Sequence, residues 1–302
     1  MFIDGHCDTA SVMLDEKKVL KKNDLQLDLT RMDKAQTQIF AAFIAPEYYD
    51  KPFERAEAII AKLKKEIDKK TNKIELCTNN DERLAALGRG NRAAFISLEG
   101  GEPIAEVTDV ERLYGMGVRF IAPVWNNANK IASGVNSTDG LSTFGRYVLK
   151  ECDRLGIITD LSHLNEHSFW EVMRVLKYPP IASHSCSAAV HAHPRNLTDE
   201  QFCAICNRGG VVGINFYTTF LNGRKKAKIK NVIKHIDHFV KLNGENHIGL
   251  GSDFDGVDSL PEGLSGVQDL PNLTAAMSEA GYSDTLINKI CYGNFERVMR
   301  LL

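Results

Sequence analysis

Eight short apolar, β-branched runs, each followed by a helical pattern or a polar loop, constrain this chain more than any other feature of its sequence. They lie at 2–5, 39–44, 93–98, 118–124, 157–161, 180–183, 211–215 and 248–251. Most are near-continuously apolar rather than alternating, as parallel strands covered on both faces should be. Helical periodicity fills 52–70, where Ala56, Ile59, Ile60, Leu63 and Ile67 share one face, and recurs at 108–115, 144–155, 166–176, 198–207, 228–243 and 283–302. Thr198-Asp199-Glu200-Gln201 is a capping box, and Gly115, Gly156, Gly209 and Gly244 stand where helices should stop. Strand and helix alternating in this way predict an α/β fold with a parallel sheet. Eight units fit a closed (β/α)8 TIM barrel better than an open sheet. A barrel needs about 250 residues, so 302 residues without a Pro/Gly/Ser-rich linker predict one domain over 1–302.

Charge and composition remove several classes of function. Thirty-seven Lys+Arg against 39 Asp+Glu give a net charge of -2, without the positive excess of a nucleic-acid binder. No apolar run approaches the 18 or more residues of a membrane span. The opening MFIDGHCD begins a strand at once, so no export signal is expected. Seven cysteines, an odd number at scattered spacings, do not make a disulfide scaffold. The expectation is a cytoplasmic protein with no membrane and no nucleic-acid partner.

In a barrel of this kind the chemistry sits at the carboxyl ends of the strands. The first run ends in Asp4-Gly5-His6-Cys7-Asp8 and the third in Ser97-Leu98-Glu99-Gly100-Gly101. The fifth ends in Asp160-Leu161-Ser162-His163, the sixth in Ser183-His184-Ser185 and the eighth in Ser252-Asp253-Phe254-Asp255. Alternation along a strand puts His6 and Asp8 on one face and Cys7 on the other. Three imidazoles and the carboxylates Asp8, Glu99 and Asp253 thus converge on one rim. Such ligands suit zinc, and a pair of metals suits hydrolysis of amides and esters.

Competing motifs are weaker. His163-Leu164-Asn165-Glu166-His167 spells the H-x-x-E-H string of some zinc peptidases, but His163 follows a strand directly instead of lying on a helix. His191-Ala192-His193 precedes a proline in a loop; Gly249-Leu250-Gly251 lacks the third glycine of a dinucleotide fingerprint. Cys203 and Cys206 read as inert thiols, and the lysines at 62–70 and the basic cluster at 224–230 as solvated helix faces.

DGHCD at 4–8, SLEGG at 97–101, DLSH at 160–163, SHS at 183–185, HPRNLTDEQ at 193–201, GSDFDG at 251–256 and GNFERV at 293–298 resemble, in order and along nearly the whole chain, the membrane (renal) dipeptidase family of the amidohydrolase superfamily. The resemblance implies an amidohydrolase-like barrel with two zinc ions that hydrolyses dipeptides through a bridging water. It implies His6 and Asp8 on one zinc, His163 and His184 on the other, and Glu99 bridging both. Arg195 would bind the substrate carboxylate and Asp253 would handle the proton. Relatives also form dimers, so a homodimer is one expectation. Where they carry a histidine for the tetrahedral intermediate, this chain has Trp125, followed by Asn126. The indole N–H and the Asn126 amide are the donors available there, and Trp125 can also stack on substrate or pack in the rim. Hydrolysis of another small amide, an N-acyl amino acid or a lactone, is the alternative activity. A metal-binding barrel that binds small ligands without turnover is the alternative outside enzymes.

Overall fold

The computed structural model describes residues 1–224 and 226–302. Among these, nine strands form one sheet: β1 (Phe2–Cys7), β2 (Gln36–Phe43), β3 (Ile74–Leu76), β4 (Arg92–Glu99), β5 (Val118–Ala122), β6 (Ile158–Thr159), β7 (Ile181–Ser185), β8 (Val211–Ile214) and β9 (Ile248–Leu250). Every pairing is parallel, in the order β6-β5-β4-β2-β1-β9-β8-β7. The two ends of that order meet through a parallel bridge between Asp160, just after β6, and Ile181 of β7. Leu161 N–H donates to the Ile181 carbonyl there at 2.7 Å. Eight strands therefore curl into a ring with helices outside it, as the alternating runs predict. β3 stands apart, pairing with Arg92–Ala94 below the point where β5 takes over at Ile96.

Successive residues of the strands face two different cores, which explains the continuous apolar runs. Ile3, Ile39, Phe95, Phe120, Ile158, Ile181 and Val211 fill the inside of the ring, with Phe295, Val298 and Met299 closing it where the strands begin. Phe2, Phe40, Ala94, Ile96, Ile121 and Val212 pack outward under the helices. The 293–298 motif is this closure. Asn294 Nδ2 donates to the Ile248 carbonyl at 2.7 Å, Arg297 reaches the Asn246 carbonyl at 2.7 Å, and Glu296 pairs with the fully buried Arg83.

One narrowing of the ring positions the site. A Cβ on Gly213 or Gly251 would collide with the Ser183 carbonyl, and one on Gly5 would crowd it. Three strands thus offer no side chain where β7 leans inward. His184 can then lie against His6, ring centroids 3.9 Å apart.

Candidate metal centre

Each ligand-type residue at the rim is placed by the end of a strand. His6 and Glu99 belong to β1 and β4, His184 to β7, and His163 and Asp253 to the turns after β6 and β9. The last two have φ of 72° and 62°, left-handed backbone that non-glycine residues adopt at a cost of about 1–3 kcal/mol. Those turns aim both side chains inward. Glu99 spans the group: Oε2 lies 3.3 Å from His6 Nε2, while Oε1 lies 2.8 Å from His163 Nε2 and 3.6 Å from His184 Nε2. Asp8 Oδ2 and Asp253 Oδ1 approach His6 Nε2 to 3.3 and 3.8 Å. The residues fall into two overlapping groups able to hold a metal, His6 with Glu99 and His184, and His6 with Asp8 and Asp253.

Hydrogen bonds behind the imidazoles decide which nitrogen faces the centre. Ser183 Oγ donates to Asp160 Oδ2, so it accepts from His184 Nδ1–H, at 2.7 Å. His163 Nδ1–H donates to Asn126 Oδ1 at 2.9 Å. Both rings therefore present bare Nε2 lone pairs, 2.8 Å from each other. Lone pairs that close repel unless they share a cation. Asp8 Oδ1 is likewise buried without a hydrogen-bond partner among the described residues. This donor set fits metal ions.

Charge inside the cluster is unbalanced in the same sense. Burial pushes Asp253 up, and burial together with Glu99 pushes Asp8 up to about 7. Burial and Arg195 hold His163 at about 4, and burial with His6 holds His184 well below its ordinary range. Burial also opposes charge on His6, but Glu99 and Asp8 outweigh it and move that imidazole well upward. Glu99, despite burial, is held low chiefly by the charge on His6. With protons alone, a single imidazolium stands among three carboxylates.

Arg195, Trp125 and Asn126 line the same cavity, of about 340 Å³, as Asp8, Glu99, His163, His184 and Asp253. Arg195 is buried, its Nε has no hydrogen-bond partner among the described residues, and its Nη2 donates to the His184 carbonyl at 3.3 Å. The Phe220 ring lies 5.4 Å from its guanidinium carbon.

Comparison with known proteins supplies the family. The family model for membrane dipeptidases, peptidase family M19, matches residues 1–302. The chain belongs to the membrane dipeptidase family. An uncharacterised Klebsiella pneumoniae protein from the pqqA 5′ region is 36% identical over 239 residues, 75% of this chain and 85% of its own. The solved structure of dipeptidase AC, a metallopeptidase of family M19, has a TM-score of 0.93 at 31% identity, covering 99% of this chain and 97% of that one. A Rhodobacter sphaeroides metallopeptidase, solved with a phosphinate mimic of the dipeptide L-Ala-D-Ala, has a TM-score of 0.92 at 30% identity, covering 99% and 98%. The protein is thus a metal-dependent dipeptidase on a TIM-barrel fold.

In this dipeptidase the rival strings fall away from the centre. His167 stays out of the centre, its side chain 62% exposed and 3.8 Å from Glu171, so H-x-x-E-H holds nothing together. Among the described residues all cysteines are free, Cys203 and Cys206 included. Sequence reasoning missed Asp160 and Ser183 behind His184, and Asn215, whose Nδ2 donates to Asp253 Oδ2 at 2.8 Å and leaves Oδ1 turned toward His6. Asn215 had a usable signal as the polar residue closing the seventh apolar run. Among the described residues no helix is long and apolar enough to cross a membrane.

Proposed function

We propose that the enzyme hydrolyses dipeptides at a binuclear zinc centre, with His6 and Asp8 on one ion, His163 and His184 on the other, and Glu99 joining the two. The observation that carries this is Glu99, one oxygen toward His6 and the other toward His163 and His184. When bound, two such ions would acidify water and polarise the scissile carbonyl. Asp253, oriented by Asn215, accepts the proton of the attacking water and returns it to the leaving amine. Arg195 takes the terminal carboxylate; a planar guanidinium whose Nε has no hydrogen-bond partner among the described residues suits a two-pronged contact.

Asn126 has its carbonyl turned to His163, so its amide N–H2 is the end free for the substrate's carbonyl oxygen, and Trp125 lies against the substrate. The Rhodobacter relative's dipeptide mimic supports a dipeptide as the ligand class. Seven unpaired cysteines suit the reducing cytoplasm.

The test is metal content per chain on purified protein, with dipeptides and N-acetyl amino acids assayed on the same sample before and after chelation. Two equivalents of zinc and chelator-sensitive dipeptide turnover are expected. Preference for the acylated amino acids, or no tight metal after zinc is added back, would overturn the reading.

A further inference from the structure

We propose that Phe43 and Trp125 form the subsite for the side chain of the substrate's N-terminal residue, and that the enzyme favours dipeptides beginning with a bulky apolar residue. The inference rests on the dipeptidase reading above, with the terminal carboxylate at Arg195. Ring order supplies the direction. Arg195 lies on the loop that follows β7, and in the eight-membered ring the strand four places from β7 is β2. Phe43 closes β2, in register with Glu99 of β4. A dipeptide held by its carboxylate at Arg195, with its scissile carbonyl at the cluster, carries its first Cα about 3.8 Å beyond its second. That first residue therefore points across the cavity, away from Arg195 and toward the β2 side.

The wall it meets there is aromatic. The Phe43 and Trp125 rings are 5.3 Å apart and tilted by 56°, both half-buried, and both line the cavity that holds Glu99 and Arg195. The Trp125 backbone has little freedom to move. A Cβ on Gly134 would collide with the Trp125 carbonyl, and Asn136 N–H donates to the Asn126 carbonyl at 2.8 Å. Against this pair of touching rings an aliphatic or aromatic side chain loses water on the face it turns to them. The charged groups on this side do not compete strongly. Both oxygens of Asp15 are taken by Arg55 at 2.7 Å, and Glu47 sits exposed at the mouth.

The experiment compares kcat/KM for Leu-Ala, Ala-Ala and Lys-Ala on zinc-loaded enzyme, wild type beside Phe43→Ala and Trp125→His. Wild type should favour Leu-Ala over Ala-Ala by about ten-fold, the order of discrimination that a few methylenes give an apolar pocket. Each substitution should bring that ratio close to one. A second readout uses the two tryptophans: with Trp170→Phe, only Trp125 fluoresces. The phosphinate analogue of Leu-Ala should shift its emission, and that of Gly-Ala much less.

A wild-type ratio near one, or a ratio that survives both substitutions, overturns the proposal. Preference for Lys-Ala over Leu-Ala also overturns it and hands this rim to Glu47. If zinc-loaded protein turns over no dipeptide, the parent reading fails, and the fluorescence comparison still decides the subsite.

Discussion

Ser183 links His184 to the carboxylate of Asp160, and Asp160 also accepts the backbone N–H groups of Ser162 and Ser183 at 3.0 and 2.9 Å. Asp160→Asn keeps the shape of that relay and removes its charge. Metal affinity, measured by competition with a chelating dye, should fall about 10- to 100-fold, with far-ultraviolet circular dichroism unchanged. Gly256 has a different task, since a Cβ there would collide with both Asp8 Oδ2 and Asp253 Oδ1. Gly256→Ala should therefore lower metal bound per chain, read by elemental analysis of dialysed protein. The ligand-type residues were legible because a barrel collects whatever polar side chains end its strands. Their partners were not. That Asn126 turns its carbonyl to His163, or that Asn215 holds one oxygen of Asp253, depends on which atoms face each other, and spacing along the chain carries no such information.

Elements were legible in proportion to their length and periodicity. All eight apolar runs are strands, whereas β3, three residues long, was invisible. Helices Thr9–Asp15, Asn80–Gly88, Thr218–Asn222 and Leu270–Glu279 were missed; two of them are short, and the first continues directly from a strand end. The 283–302 pattern breaks into Asp284–Asn288, a π-turn at Lys289–Gly293 and Asn294–Met299. Glycine stops held at Gly156 and Gly209, but Gly117 takes the left-handed position near Gly115 and Asn243 the one before Gly244. The capping box of Thr198 and Gln201 forms as read.

Helix Ile229–Lys241 supplies a pH-dependent tie. Its buried His235 accepts from Ser187 N–H at Nδ1 and donates from Nε2 to the Leu221 carbonyl, both at 3.0 Å. Burial holds its pKa at about 4. The unfolded chain, with an ordinary imidazole near 6.5, takes up the proton first as pH falls. Stability should drop between pH 6.5 and about 4, by roughly 3 kcal/mol at most for this group, and no further below that. Urea midpoints across that range should vary less in His235→Gln than in wild type.

At the scale of the molecule, the ring is closed at one end by a helix and opened at the other by chemistry. Phe295 sits where the strands begin, against the places where Gly5 and Gly249 carry no side chain. Phe295→Ala leaves a hole in the inner core and should cost about 3–5 kcal/mol, read from urea unfolding, without touching any rim residue. The closure also sets an order of events. β1 has β2 on one side and β9 on the other, and the stopper follows β9. The first strand therefore waits for a neighbour made some 240 residues after it, roughly ten to fifty seconds at 5–20 residues per second. Until then His6 and Asp8 have neither Asp253 beside them nor a finished wall behind them. The site therefore belongs to the closed ring, so metal is expected to be acquired after closure instead of guiding the nascent chain.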